Sequence, residues 1–164
     1  MANSVTTDMK PAGTSIIFVD DRDRVLLLLR DDRPDIRYPN RWDIPGGRGE
    51  EGETPEETIV REMKEEIGLE LTGAELFERR EFPDRIEYTF WKRANLVIGE
   101  IDLMEGQKLR WFTREEAAAT ELAFGFNPTI DRFFQALPSM SRAASHEVGT
   151  RQRGERDHDD AEKE

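Results

Sequence analysis

Three closely spaced glutamates, Glu62, Glu65 and Glu66, are the residues of this sequence whose types and spacing most suit chemistry. On an α-helix, steps of three and four residues return to one face, so their carboxylates lie together. The apolar residues of the same segment point to another side: Ile59, Val60, Met63 and Ile67. Oxygen-rich clusters suit hard divalent cations such as Mg²⁺, Mn²⁺ or Ca²⁺. On these residues alone, a solvated charged helix face remains the alternative.

A helix that begins after Thr54 must position this cluster. Thr54 is a good N-cap, Pro55 suits the first helical position, and Glu57 completes a capping box. Gly68 follows the last apolar residue of the pattern and predicts the end of the helix.

The rest of the chain reads as alternating strands and short helices. β-Rich runs at 13–19 and 25–30 flank a polar turn and predict an antiparallel pair. Further strands are predicted at 71–79, 86–97 and 109–112, and further helices at 113–118 and 128–137. Interleaved elements that include a hairpin favour an α/β fold in which helices cover a mixed sheet.

The segment from Gly47 to Leu69 resembles the signature of the Nudix hydrolase family, Gly-x5-Glu-x7-Arg-Glu-U-x-Glu-Glu-x-Gly-U, where U is apolar. Every fixed position is present, with Met63 and Leu69 at the U positions. The resemblance implies a Nudix-type α/β/α sandwich with a mixed β-sheet over residues 13–137. We expect a flexible N-terminus at 1–12 and a disordered charged tail at 138–164, which has too little apolar content to form a core.

The resemblance also assigns a metal site. Glu62, Glu65 and Glu66 match the family's metal ligands, and Gly46 or Gly47 would add a backbone carbonyl. The implied cofactor is Mg²⁺, or Mn²⁺ in its place. Several cations of this kind would let an acidic pocket bind a polyphosphate.

Catalytic roles follow from the same match. Glu53 and Arg61 match a pair that holds the loop and helix together, and a carboxylate that reaches Arg61 forms a charge-assisted bond. The general base in this family is a helix glutamate, here Glu65 or Glu66, or an acid on a distant loop. Glu105 precedes a predicted strand and is the loop candidate for base or extra ligand, with an ordinary loop acid as the alternative. Two other acids considered for this role are Asp84 and Glu87.

Substrate contacts are expected from arginines and aromatic residues around the motif. Arg30 and Arg41 flank the segment before it and suit phosphates, although surface arginines that balance nearby aspartates would look the same. Phe126 could stack on a base or belong to the core. Asn127 could contact a purine or cap the last helix.

Composition limits the partners. The net charge is −12, which argues against stable binding of a nucleic-acid backbone. Cysteine is absent, and no apolar run reaches the length of a membrane span. Both histidines, His146 and His158, fall in the predicted tail. We expect a cytoplasmic protein with a nucleotide-like substrate and no membrane partner, and the resemblance also allows a homodimer.

The predicted function is Mg²⁺-dependent hydrolysis of a diphosphate bond in a nucleoside diphosphate-linked substrate. A nucleoside triphosphate, canonical or oxidised, would give the monophosphate and pyrophosphate. A nucleoside diphosphate sugar or a dinucleoside polyphosphate is the alternative substrate class. A Nudix module that senses a nucleotide without turnover is the alternative to an enzyme.

Overall fold

Strand β1 (Ala12–Val19) is the centre of a seven-stranded mixed sheet in a computed structural model that describes residues 10–154. It pairs antiparallel with β2 (Val25–Leu29) and, near its start, with β4 (Gly46–Arg48). Along its whole length it pairs parallel with β6 (Ile86–Arg93). Because β1 is enclosed on both sides, its residues from Ser15 to Val19 are buried without alternation.

Three further strands complete the sheet. β3 (Trp42–Asp43) and β7 (Lys108–Phe112) both pair antiparallel with β2. β5 (Glu75–Glu81) pairs antiparallel with β6. The mixed sheet with helices is confirmed, although the sequence did not predict β3 or β4. Leu71 is buried although it lies outside any strand. Its apolar character explains why the strand predicted at 71–79 begins before the observed β5.

Helix α1 (Pro55–Ile67) begins and ends where the sequence predicts. Thr54 is the N-cap of a complete capping box with Glu57, and Gly68 ends the helix with φ 64°. The apolar face of α1 packs into the core beside β1 and β2, through Ile59, Met63, Ile67, Ile16, Phe18 and Leu26. The acidic face of α1 is thereby held in place at β4, against which the helix also packs.

Helix α2 (Arg114–Ala118) is a single turn with its own capping box at Thr113, and a 3₁₀ turn follows at Ala123–Gly125. The chain divides into two compact units after Asn127. The second unit contains α3 (Asn127–Gly154). Among the described residues, no helix has the length and apolar character that crossing a bilayer requires.

The chain ends differ from the prediction. β1 includes Ala12, and residues 1–9 of the predicted flexible N-terminus lie outside the described residues. A disordered tail is predicted from residue 138, but α3 continues through Pro138 to Gly154. The prediction weighed apolar burial alone, whereas alanine and arginine in this segment have high helix propensities. Residues 155–164 of the predicted tail lie outside the described part of the chain.

Candidate active site

The acidic face of α1 meets the two glycines of β4. The Glu66 side chain is buried, with the residue 5% exposed, and its carboxyl group accepts a hydrogen bond from the backbone of Gly46. The Glu62 carboxyl group occupies the space that a Cβ atom on Gly47 would take. The absence of a side chain at Gly47 is therefore what admits Glu62 to the site.

Burial and the mutual repulsion of the carboxyl groups distinguish this cluster from a solvated helix face. Burial, and then the nearby carboxylates of Glu105 and Glu62, raise the pKa of Glu66 to about 9. Burial also raises the pKa of Glu62, while Arg61 opposes that shift. Buried oxygens that repel one another in this way are the donor set a hard divalent cation prefers. The residues present therefore fit a metal such as Mg²⁺.

Arg61 forms hydrogen bonds with two of the predicted metal ligands. Its Nη1 donates to Oε1 of Glu62 and to Oε2 of Glu65, each over 3.0 Å. Glu65 is half exposed on that side. Within the part of the chain that the structure describes, no three acidic or histidine side chains converge closely enough to hold one ion. The metal role of Glu62, Glu65 and Glu66 therefore stays a prediction.

The predicted pair of Glu53 and Arg61 is present and bidentate. Arg61 donates from Nε to Oε2 over 2.8 Å and from Nη2 to Oε1 over 3.1 Å. The Thr58 hydroxyl donates to the same carboxylate over 2.7 Å. Hydrogen bonds from Arg61, then Thr58, lower the pKa of Glu53 to about 2. Nη2 also donates to the Arg48 carbonyl, so the pair links the loop before α1 to the end of β4.

Glu105 lies on a loop attached to the C-terminal part of α1. The backbone N–H groups of Met104 and Glu105 donate to the Glu66 carbonyl, over 2.8 and 3.4 Å. Farther along, the N–H of Gln107 donates to the Leu29 carbonyl over 2.8 Å. The charge of Glu105 raises the pKa values of both Glu66 and Glu62. The loop acid predicted 39 residues beyond Glu66 is therefore at the acidic cluster, and its role as base stays a prediction.

Two cavities adjoin the glycines of β4. The first has a volume of about 440 Å³, and its lining includes Glu66, Glu105, Arg30 and Arg33. The second has a volume of about 210 Å³, and its lining includes Phe124, Phe126, Glu87 and Arg85. Arg30 and Gly46 line both cavities. These two residues therefore form a shared wall between the cavity beside the glutamates and the cavity beside the phenylalanines.

The two predicted substrate arginines have different surroundings. Arg30 donates from Nε to the Arg37 carbonyl over 2.9 Å and lies 5.0 Å from the centre of the Phe124 ring. Arg41 forms an ion pair of 3.1 Å with Glu121 and lies 5.8 Å from the Tyr38 ring. Arg30 is at the site, whereas the Arg41 contacts match the surface-pair alternative.

Phe124, in the wall of the second cavity, and its neighbour Tyr38 are both strained. Tyr38 and Phe124 have φ values of 51° and 56°, a region that residues other than glycine rarely adopt. Their rings meet edge to face with centres 4.7 Å apart. Phe126 lies 5.9 Å from Phe124 and is largely buried, so it belongs to the core and to the cavity wall.

Asn127 has an internal role. Its Oδ1 accepts from the Leu122 N–H over 2.9 Å, and its Nδ2 donates to the carbonyls of Thr120, over 2.7 Å, and Ala117, over 3.3 Å. The side chain therefore joins the end of α2 to the following turn. These bonds explain Asn127 without a substrate, and a purine contact stays a prediction.

Asp43 is a buried acid bound to Arg30 beside the site, and the sequence did not indicate it. It is 8% exposed, and burial raises its pKa to about 7 although Arg30 opposes the shift. Its Oδ1 is the one buried side-chain polar atom without a hydrogen-bond partner among the described residues. An acid between the apolar residues Trp42 and Ile44, three positions before Gly46, is the sequence signal that could have revealed it.

This fold and this acidic helix define a known class of protein. The model of the NUDIX domain matches residues 9–136, and the chain belongs to that family. Hydrolases of the family generally use divalent metal ions.

Individual relatives narrow the comparison. The chain is 47% identical over 82 residues to an 8-oxo-dGTP diphosphatase of Escherichia coli, covering 48% of this chain and 63% of the relative. It is 44% identical over 76 residues to the enzyme of the same name from Haemophilus influenzae, covering 45% and 56%. The chain thus spans less than two thirds of the length of either relative. The NUDIX domain of Shewanella oneidensis NrtR, solved with ADP ribose, has a TM-score of 0.66 at 16% identity and covers 83% of this chain and 94% of its own, which shows the fold alone.

Proposed function

We propose that this chain is a Mg²⁺-dependent Nudix pyrophosphohydrolase that converts a nucleoside triphosphate, canonical or oxidised, to the monophosphate and pyrophosphate. The observation that carries the proposal is the first cavity. The buried carboxyl group of Glu66 and the exposed carboxylate of Glu105 line it together with Arg30 and Arg33. A triphosphate bound with divalent cations needs both kinds of group, because the glutamates bind the cations and the arginines bind phosphate oxygens.

A divalent ion, when bound, neutralises phosphate charge and lowers the pKa of water. Glu62, Glu65 and Glu66 would hold it, with the carbonyl of Gly46 or Gly47. Mg²⁺ fits this oxygen donor set, and Mn²⁺ can replace it.

The chain's own residues then divide the work of hydrolysis. Glu105 accepts the proton of the attacking water, whose oxygen forms a new bond to phosphorus as the bridging P–O bond breaks. Arg30 holds phosphate oxygens. The pair of Glu53 and Arg61 keeps the loop and α1 in register, so that the glutamates and the glycine carbonyls face one point.

The second cavity suits the nucleobase. Phe124 and Phe126 offer ring faces for stacking. Because Arg30 and Gly46 line both cavities, the scissile diphosphate would lie at their junction. The two 8-oxo-dGTP diphosphatases among the relatives support a nucleoside triphosphate as substrate.

The NrtR domain solved with ADP ribose favours a second candidate, a nucleoside diphosphate sugar. In that case the sugar would occupy part of the first cavity. A dinucleoside polyphosphate, or binding without turnover, would also use both cavities.

A substrate panel tests the proposal. Purified protein is incubated with dGTP, 8-oxo-dGTP, CTP, ADP-ribose and a dinucleoside tetraphosphate in Mg²⁺, and products are separated by chromatography. We expect monophosphate and pyrophosphate from a triphosphate, and loss of turnover with a chelator and in Glu66→Gln. Glu70→Gln is the matched control, because exposed Glu70 pairs with Lys64 away from both cavities. Turnover that survives in Glu66→Gln would refute the site, and binding without turnover would favour a sensing module.

The base assignment has its own test. Glu105→Gln should lower kcat by about 10²- to 10⁴-fold while KM stays within a few-fold, because general-base catalysis acts in the transition state. An unchanged kcat would show that Glu105 is not the general base and would favour a glutamate of α1 in that role.

A further inference from the structure

Arg30 is held by groups from three different segments of the chain. Its Nε donates to the Arg37 carbonyl over 2.9 Å, and its Nη1 donates to Oδ2 of Asp43 over 3.3 Å. Its guanidinium group lies 5.0 Å from the centre of the Phe124 ring. Nη2 has no hydrogen-bond partner within residues 10–154. Two of its three side-chain nitrogens therefore bind protein groups, and Nη2 stays available to a ligand in the cavities that Arg30 lines.

Asp43 is the charged member of these three contacts. It follows Trp42 on the two-residue strand β3, which is paired with the end of β2 next to Arg30. The carboxylate is buried, and its Oδ1 lacks a partner in the described structure. Burial of a carboxylate with one unsatisfied oxygen is costly, and such an arrangement persists when something else requires it. Asp43 does not line either cavity itself, but Arg30, to which it is bound, lines both. A requirement for Arg30 at the ligand site would therefore account for the buried carboxylate.

We propose that Asp43 is a positioning residue, which acts through Arg30 to hold the guanidinium edge toward the phosphate groups of the substrate. This inference rests on the proposed function, since it assumes a nucleotide phosphate at the junction of the two cavities. Asp43 does not touch the substrate. It fixes one of the two side-chain nitrogens of Arg30 that are bound within the protein, and so reduces the conformational entropy that Arg30 would lose on binding. Its effect should therefore fall on substrate binding rather than on the chemical step.

A second buried aspartate provides a matched control. Asp20, at the turn between β1 and β2, is 3% exposed and forms an ion pair of 2.8 Å with Arg24. It resembles Asp43 in burial and in its arginine partner, but it lies at the opposite end of β2 from Arg30. Asp20→Asn therefore reports what the loss of a buried aspartate charge does to stability alone.

The experiment is a double-mutant cycle on the complete chain. KM and kcat for dGTP with Mg²⁺, and Tm, are measured for Asp43→Asn, Arg30→Gln, the double variant and Asp20→Asn. We expect Asp43→Asn to raise KM about tenfold with kcat within about threefold, as for one hydrogen bond to a charged group. The same change in the Arg30→Gln background should alter KM by less than about twofold, because the two residues act as a unit. Asp20→Asn should lower Tm and leave KM unchanged.

Several outcomes would overturn the inference. An unchanged KM in Asp43→Asn, with a fall in Tm like that of Asp20→Asn, would make Asp43 structural only. Equal effects of Asp43→Asn in both backgrounds would show that it does not act through Arg30. If Asp43→Asn does not fold, Arg30→Gln breaks the same pair from its more exposed side, and an unchanged KM there would refute the proposal.

Binding of α,β-methylene-dGTP with Mg²⁺, measured by calorimetry, separates this inference from the proposed function. If the wild type binds the analogue without hydrolysing dGTP, the proposed function fails. Weaker binding by Asp43→Asn would still support the positioning role. If the wild type neither binds nor hydrolyses, both are overturned.

Discussion

Alanine substitution of each of the two adjacent glycines of β4 should affect a different property, activity at Gly47 and stability at Gly46. A Cβ atom on Gly47 would overlap the Glu62 carboxyl group, which is the far end of a flexible side chain. A Cβ atom on Gly46 would overlap the Thr14 carbonyl and lie 2.6 Å from Cα of Ser15, both backbone atoms of buried β1. We expect Gly47→Ala to displace a site residue and Gly46→Ala to damage the fold.

The magnitudes follow from what can move. Carbon atoms pack at about 3.5–4.0 Å, so Gly47→Ala must shift the Glu62 carboxyl group by more than about 1 Å. A partly exposed ion pair with Arg61 contributes about 0–1 kcal/mol, and alanine restricts the unfolded chain by a similar amount. The Tm should therefore fall by less than about 4 °C. Misplacement of about 1 Å at a reacting centre costs about 100-fold in rate, and we expect that loss in kcat/KM.

Gly46→Ala has no flexible neighbour to absorb the overlap. Overpacking costs about 1–3 kcal/mol, and a φ of 155° adds strain for any residue with a Cβ atom. A loss of about 3 kcal/mol corresponds to a fall in Tm of about 6–12 °C for a chain of this size. The assay pairs thermal unfolding with kcat/KM for each variant. Wild-type kcat/KM in Gly47→Ala would show that the position of Glu62 is not required, and a wild-type Tm in Gly46→Ala would refute the packing argument.

Three further predictions concern α1 and its loop. Because hydrogen bonds hold the pKa of Glu53 at about 2, below the usual 4.5, its carboxylate stabilises the fold above pH 4.5 and ceases to do so as pH falls toward 2. The Tm difference between wild type and Glu53→Gln should narrow over that range, and a difference independent of pH would contradict this. Mg²⁺ should raise the Tm of the wild type, and a chelator should reverse that rise. The rise should be smaller in Glu66→Gln, and an equal rise in both proteins would show that Glu66 is not a metal ligand. Thr54→Ala should cost about 1 kcal/mol, a fall in Tm of about 2–4 °C, because it breaks the capping box of α1. Thr113→Ala, the matching change at single-turn α2, should cost less, and equal losses would argue against the cap as the cause.

Features set by neighbouring residues could be predicted from the sequence. The bounds of α1 depend on Thr54, Glu57 and Gly68, which all lie within or beside the helix, and the structure agrees. The β1–β2 hairpin depends on one polar turn, and its antiparallel pairing is also confirmed. The bond between Glu53 and Arg61 follows from a spacing of eight residues that the family signature contains.

Features that depend on contacts between distant segments could not be predicted from the sequence. Strands β3 and β4 have two and three residues, too few to show any periodicity. The apolar neighbours Trp42 and Ile44 are the local signal for the burial of Asp43, but a charge in such a segment also suggests a turn. Asn127 shows the converse, because its amide bonds run to Leu122, Thr120 and Ala117, and residue type alone could not separate that role from a substrate contact.

The parallel pairing of β1 with β6 has a consequence for how the protein is made. Ala12 pairs with Ile86, so one edge of β1 stays unpaired until the ribosome has added residues that lie 74 positions later. At ribosomal rates of about 5–20 residues per second, that interval is about 4–15 s. During this time a nascent strand that contains Ile16, Ile17 and Phe18 has an open edge, the kind of surface on which chains aggregate. The strand that later organises the sheet is thus exposed to misassembly during this part of synthesis.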